Sequence, residues 1–418
     1  MARISIILLL CLIACSIPAP TLAQVQPTFD SDTVYFTTSR KKIVMPFKLV
    51  HNLIIIPVKI NNSSSLNFIL DSGVQNTLIT KLNFTDSLSL HDAKRIKIRG
   101  LGEGHNIEAI YSEGNRLTIP GIKGKNQAVY VLMEDVFNIS TRMGMPVHGI
   151  IGYDIFKNFI VKINYHNKTL TLYRPDYKIK KKRKSEEYVI SIEDTKPYLH
   201  GVIKQHNGDS INVKLIVDTG ASHSLSLYLP TDERLMLPPK VMEAYLGRGL
   251  SGDITGKIGR LNAFRLGKYE LENLTVSYPD TAAIRLALNI ADRNGNLGSD
   301  ILKRFTVIFD YPHNRMILQA NSKYKDPFQY NMAGFDVSTP LPGTNFYTIT
   351  NVVENSPAKQ IGLQAGDQLL LINGRDCKEL KLQELLELME SRPGRKIKLK
   401  IKRNNTTHTL SFVLQSRI

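Results

Sequence analysis

The chain has no tryptophan and only three cysteines in 418 residues. Cys11 and Cys15 fall within the first fifteen residues, which leaves Cys377 alone in the remainder. That count excludes a disulfide framework, and no Cys/His spacing suits a structural zinc, so stability has to come from apolar cores and no metal is expected. After the N-terminus no apolar run is long enough to be a transmembrane helix. Acid is scarce relative to base: 37 Asp and Glu stand against 54 Lys and Arg, a formal charge of +17. Part of this excess lies in one run, Lys178-Ile179-Lys180-Lys181-Lys182-Arg183-Lys184. No aromatic-interleaved basic patch accompanies it, so it reads as a solvated linker and not as a nucleic-acid surface. Apolar residues are not lacking: at 42 % they match an ordinary globular chain. The length is that of two or three domains.

The first residues form a targeting segment. Met1-Ala2-Arg3 supplies a positive end, and Ile4 to Ala14 is an apolar stretch too short to cross a bilayer. Two processing readings compete. Thr21-Leu22-Ala23 before Gln24 suits a signal peptidase, giving a signal peptide of residues 1–23. Leu12-Ile13-Ala14-Cys15 resembles a lipobox, giving a signal of residues 1–14 and a lipid anchor at Cys15. Both readings predict an exported protein of the periplasm, cell envelope or exterior.

What organises the remainder is a repeat. Asn67-Phe68-Ile69-Leu70-Asp71-Ser72-Gly73-Val74 and Leu215-Ile216-Val217-Asp218-Thr219-Gly220-Ala221-Ser222 are both apolar strands that end on an acid, a small hydroxyl and a glycine. Gly149 to Tyr165 is echoed by Gly295 to Tyr311, with Gly152 matching Gly298, Asp154 matching Asp300 and Phe159 matching Phe305. Arg99-Gly100-Leu101-Gly102 is echoed by Arg248-Gly249-Leu250-Ser251-Gly252. The three offsets are 146, 147 and 149 residues, which indicates a duplicated lobe and not a solenoid. Each lobe is rich in alternating or β-branched strands. Asp154 and Asp300 fall where N-cap carboxylates of short helices are expected. The glycine clusters suit mobile hairpin tips, with Gly100, Gly102 and Gly249 contacting a ligand.

Two acid-terminated strands in duplicated lobes predict one site on a pseudo-twofold axis, with Asp71 beside Asp218. Two close carboxylates share one proton and titrate as a pair. One acts as base toward a water while the other protonates a carbonyl oxygen, without metal or covalent intermediate. Ser72 and Thr219 are placed to bond across the junction, and Gly73 and Gly220 to turn the chain toward the carboxylates. The histidines, His148 and His223 among them, read as packing or surface residues.

The last ninety residues are of another kind. Ser356-Pro357-Ala358 starts a short helix, Ile372-Asn373-Gly374 ends a buried strand in a tight turn, and Leu382, Leu385, Leu386 and Met389 define an amphipathic helix over Glu379 to Glu390. Lys396 to Lys402 alternates as a half-buried strand.

Asp71-Ser72-Gly73 and Asp218-Thr219-Gly220-Ala221-Ser222 resemble the active-site motif of aspartic proteases. Ile150-Ile151-Gly152 and Asn296-Leu297-Gly298 resemble the apolar-apolar-glycine that closes each lobe of that fold. Gly334-Phe335-Asp336-Val337, Gly362-Leu363 and Gly366-Asp367 resemble a PDZ domain. The whole is similar to an exported bacterial aspartyl protease with a C-terminal PDZ domain, and it departs from the pattern at Val74, Asn296 and Asp336. The resemblance implies a mainly β chain: two retropepsin-like or pepsin-like lobes at 30–176 and 188–322, a basic linker at 177–187 and an α+β PDZ domain at 328–418. It implies an aspartic-type endopeptidase, active as a monomer without cofactor, acting on protein or peptide substrates. A C-terminal peptide is expected at Gly334, Phe335 and Val337. The alternative is a catalytically inert peptide-binding scaffold of the envelope. A third reading is a self-processing enzyme cut in its basic linker.

Overall fold

The computed structural model describes residues 33–82, 88–289 and 292–418. The leader readings, including Cys15, and the first residues of the 30–176 lobe lie outside the described residues.

Strand Leu53–Ile60, an almost unbroken apolar run, is buried along most of its length and pairs antiparallel with Leu66–Leu70. Leu66–Leu70 in turn pairs parallel with Gly149–Ile151, at the centre of a nine-stranded sheet. The second lobe repeats this plan in eight strands. Ser210–Val217 pairs antiparallel with Lys196–Lys204 and parallel with Gly295–Leu297. Register is the same in both: Leu70 faces Ile151 and Val217 faces Leu297. The next residue of each strand is the acid, and it is tied in the same way. Asp71 N–H donates to Ile151 O at 2.8 Å and Asp218 N–H to Leu297 O at 2.9 Å.

The tails of the two repeats pair with each other. Ile160–Asn164 runs antiparallel to Phe305–Asp310, with Val161 opposite Phe309, at the middle of a six-stranded sheet that joins the lobes. Phe156 stacks on Tyr311 at 5.3 Å and meets Phe309 edge-on at 5.2 Å, so this junction is apolar and shared. Truncating Phe156 to alanine there is of the class that costs about 3–5 kcal/mol. Two sequence expectations need correction. The linker does not extend to 187: Ser185–Val189 is a strand against Arg315–Ala320 in this sheet. Its alternation was masked by Glu186 and Glu187, of which Glu186 accepts from the Lys268 N–H. Nor are Asp154 and Asp300 N-caps. Gly152 and Gly298 hold the cap positions, and the acids lie inside the first turn, paired with Lys157 at 3.3 Å and Lys303 at 2.5 Å.

The C-terminal domain is a sheet in the order Phe335–Ser338, Tyr347–Val352, Gln368–Ile372, Lys396–Arg403, Thr406–Val413, covered by helix Leu382–Met389. The helix starts three residues later than its apolar spacing predicts, because Cys377–Glu379 forms a 3-10 turn. Leu382, Leu385, Leu386 and Met389 face the core as expected. Among the described residues no helix is long and apolar enough to cross a membrane, and no cluster of three His, Cys, Asp or Glu is placed to hold a metal ion.

Candidate active site

Asp71 and Asp218 meet at the pseudo-twofold axis, and neither is exposed to solvent. The hydroxyls beside them form a reciprocal clasp. Ser72 Oγ donates to Val217 O at 2.6 Å, and Thr219 Oγ1 donates to Leu70 O at 2.9 Å. Each hydroxyl also accepts from the other lobe's backbone: Ser72 N–H reaches Thr219 Oγ1 at 2.9 Å and Thr219 N–H reaches Ser72 Oγ at 3.0 Å. Each lobe therefore ends by grasping the strand that carries the other lobe's acid. All four groups are buried, where an unmade bond costs about 1–3 kcal/mol, so the clasp fixes the carboxylates relative to each other.

The glycines complete the geometry. Gly73 N–H donates to Asp71 Oδ1 at 2.7 Å and Gly220 N–H to Asp218 Oδ1 at 3.0 Å. A side chain on Gly220 would collide with the Asp71 carboxylate, so the second lobe can approach the first acid only with glycine there. At Gly152 a side chain would strike the Asp71 carbonyl, and at Gly298 the His223 carbonyl. Burial pushes the Asp71 carboxyl well above the ordinary carboxylate range, and the neighbouring Asp218 charge and hydrogen bond push it further against the opposing Gly73 N–H bond. The two carboxyls therefore share one proton and titrate as a pair.

Two hairpin tips meet one another. The first lies between strands Lys94–Ile98 and Ile107–Ile119, the second between Val241–Gly249 and Gly252–Leu266. Ser251 N–H donates to Leu101 O at 2.9 Å and Gly100 N–H to Ser251 Oγ at 3.1 Å. Each tip leucine crosses to the other lobe. Leu250 shares a buried cluster with Val74 and Ile150, and Leu101 with Ala221 and Tyr228. Gly249 packs against Leu101, and Gly102 donates to Ala283 O at 3.0 Å. The structure thus brings Gly100, Gly102 and Gly249 into one contact between the tips, in a closed arrangement.

Sequence reasoning missed Tyr228, Arg293 and Tyr311 here, and marked Asn296 only as a departure from the pattern. Asn296 Nδ2 donates to Asp218 Oδ2 at 2.9 Å. Tyr228 and Arg293 both donate to the Asn296 carbonyl. The only signal was that Asn296 stands where the closing motif is otherwise apolar. Tyr311, buried behind the first acid, places its hydroxyl 3.5 Å from Ser72 O.

The C-terminal residues expected to take a peptide are placed differently. The Ala333 and Gly334 N–H groups point to the Asn331 side-chain oxygen at 3.0 and 3.3 Å. Phe335 and Val337 are buried in the domain core, and Asp336 accepts from the Asn351 side-chain amide at 3.1 Å. Beyond the strand, Thr339 N–H donates to Thr141 O and Gly343 N–H to Gly144 O, both at 3.1 Å. The first lobe thus lies along this edge, and Gly144 packs beside Leu382 of the helix.

Two duplicated β lobes that share a buried, clasped pair of aspartates define an acid-protease fold. The sequence comparison agrees and extends it: residues 56–155 and 203–301 each match the aspartyl protease family model, and residues 348–403 match that of the PDZ domain. The chain therefore carries two retropepsin-like aspartyl protease regions followed by a PDZ domain. No curated protein matches the chain.

Proposed function

We propose that this protein is an aspartic-type endopeptidase. The observation that carries the reading is the clasp of Ser72 and Thr219, which spends four buried hydrogen bonds on holding two carboxylates together. Asp218 takes a proton from a water held between the acids. That water's oxygen bonds the scissile carbonyl carbon while Asp71 gives its proton to the carbonyl oxygen. Asp218 then returns its proton to the departing amine nitrogen as the C–N bond breaks, while Asp71 takes a proton back from one hydroxyl of the gem-diol, which leaves a carboxylic acid and restores the starting dyad. The hairpin tips have to part for substrate to enter, and they exclude water once closed. The PDZ domain recruits or positions protein or peptide substrates. A peptide that adds to strand Phe335–Ser338 competes with the first-lobe segment Thr141–Gly144 for that edge. The leader is consistent with export, with Cys15 as the site of a lipid anchor if the lipobox is used.

The test is cleavage of a denatured protein mixture from acid to neutral pH, with and without Asp218→Asn. Cleavage abolished by the substitution and by a statine-type transition-state analogue is expected. Undiminished cleavage by the variant refutes the dyad assignment. No cleavage by the unaltered chain at any pH favours the inert scaffold.

A further inference from the structure

The two halves of the dyad are not chemically equivalent, and the difference lies in the closing motifs. In the first lobe the residue beside the acid is Ile150, fully buried, which offers no polar atom. Asp71 Oδ2 accordingly receives no hydrogen bond from the closing motif. In the second lobe the corresponding residue is Asn296, also fully buried, and its amide nitrogen donates to Asp218 Oδ2 at 2.9 Å. With the Gly220 N–H on Oδ1, both Asp218 oxygens receive a donor.

The orientation of the amide is fixed by what stands behind it. Arg293 donates to the Asn296 oxygen at 2.5 Å and to the Tyr228 hydroxyl at 2.7 Å. The Tyr228 hydroxyl, having accepted from the guanidinium, donates to the same Asn296 oxygen at 3.0 Å. The guanidinium also lies over the Tyr228 ring, 5.1 Å from its centroid. A guanidinium has only donors, so the oxygen of Asn296 must face it and the NH2 must face Asp218. Tyr228, Arg293 and Asn296 are all at most 1 % exposed. In such a site an amide polarised by a cation on its oxygen is a stronger donor to an anion than an isolated one.

We propose that Asn296, oriented by Arg293 and Tyr228, is a positioning residue that keeps Asp218 the ionised member of the dyad and leaves the shared proton on Asp71. This rests on the aspartic-protease reading for its catalytic meaning, but the electrostatic asymmetry itself does not. It assigns the base to the second lobe and the acid to the first before any substrate arrives. Burial, and then the Asp218 charge, raise the titration of Asp71, as one proton shared by the pair requires.

The experiment compares the full chain with Asn296→Leu and Tyr228→Phe by two readouts. The first is the pH profile of kcat/KM, whose acid limb reports the lower apparent pKa of the dyad. Loss of one charge-assisted hydrogen bond should raise that limb by about one pH unit in Asn296→Leu. A smaller shift in the same direction is expected in Tyr228→Phe, which keeps the amide but removes one donor to it. The second is the titration of carboxyl-13C aspartate by NMR, with the dyad signals assigned by Asp218→Asn; the same shift is expected without any need for turnover. If the unaltered chain cleaves nothing but the titration shifts as stated, the positioning role stands and the protease reading falls. If the chain cleaves and both readouts stay put while kcat/KM drops evenly at every pH, Asn296 is merely structural and the proposal is overturned. Should Asn296→Leu fail to fold, an unshifted titration in Tyr228→Phe overturns it equally.

Discussion

Thr219 both donates and accepts at one oxygen, and both partners belong to the other lobe. Replacing it by alanine leaves the buried Ser72 N–H and Leu70 carbonyl without these partners, while Thr219→Ser keeps the oxygen and loses only a methyl. The expected cost of Thr219→Ala is about 2–3 kcal/mol, read from the urea midpoint at constant slope, against well under half of that for Thr219→Ser. Equal losses in the two variants would show that the methyl's packing matters and the bonds do not. The acids and hydroxyls of this clasp were legible in the sequence because duplication wrote them twice, at a constant spacing. Asn296 was legible only as a deviation. Its partner Tyr228 lies 68 residues upstream and meets it only through the pairing of Leu225–Leu227 with Gly295–Leu297, which no local pattern reveals.

At the scale of elements, the hairpin tips carry the strictest backbone demands. Gly102 adopts φ +112°, a conformation that side chains rarely take, and a Cβ there would run into the Gly252 backbone across the tip-to-tip contact. Gly102→Ala is therefore expected to disturb closure of the tips and leave the clasp intact. Strain of about 1–2 kcal/mol at the tip corresponds to roughly a tenfold fall in kcat/KM, with the circular dichroism and the urea midpoint little changed. Unaltered kinetics would mean that this contact takes no part in closing the site. The sequence indicated the two glycine-rich tips but not that they interlock, since Leu101 and Leu250 look like ordinary apolar residues until each is seen to cross into the opposite lobe. A similar limit hid the strand Ser185–Val189. Its partner Arg315–Ala320 is remote in sequence, and the charged run before it resembles a plain linker.

At the scale of the molecule, lobes and PDZ domain converge on a cavity of about 480 Å³ that holds His51, His223, Asp300, Lys303, Glu387 and Glu390. This junction was the least legible part of the chain, because it joins three regions that share no repeat and no motif. Two of its groups titrate in opposite senses. Burial lowers His223 from 6.5 to about 4, with Asp300 opposing. Its contribution is therefore complete above pH 6.5 and is lost as the pH falls toward 4, on the order of 3 kcal/mol in all. Burial raises Glu390 from 4.5 to about 7, assisted by Asp300 and Glu387 and opposed by Lys303. A carboxyl raised on folding favours the folded state while protonated, so its contribution is present below pH 4.5 and is lost as the pH rises through 7. Glu390→Gln keeps the shape and stays neutral at every pH. It should leave stability nearly unchanged at pH 5 and raise it at pH 8, measured by urea unfolding of the full chain at both values. A variant equally stable or less stable than the unaltered chain at pH 8 would show that Glu390 is solvated there and that the junction between lobe and PDZ domain is open. A gain confined to alkaline pH would show that the PDZ domain is seated against the second lobe in solution as well.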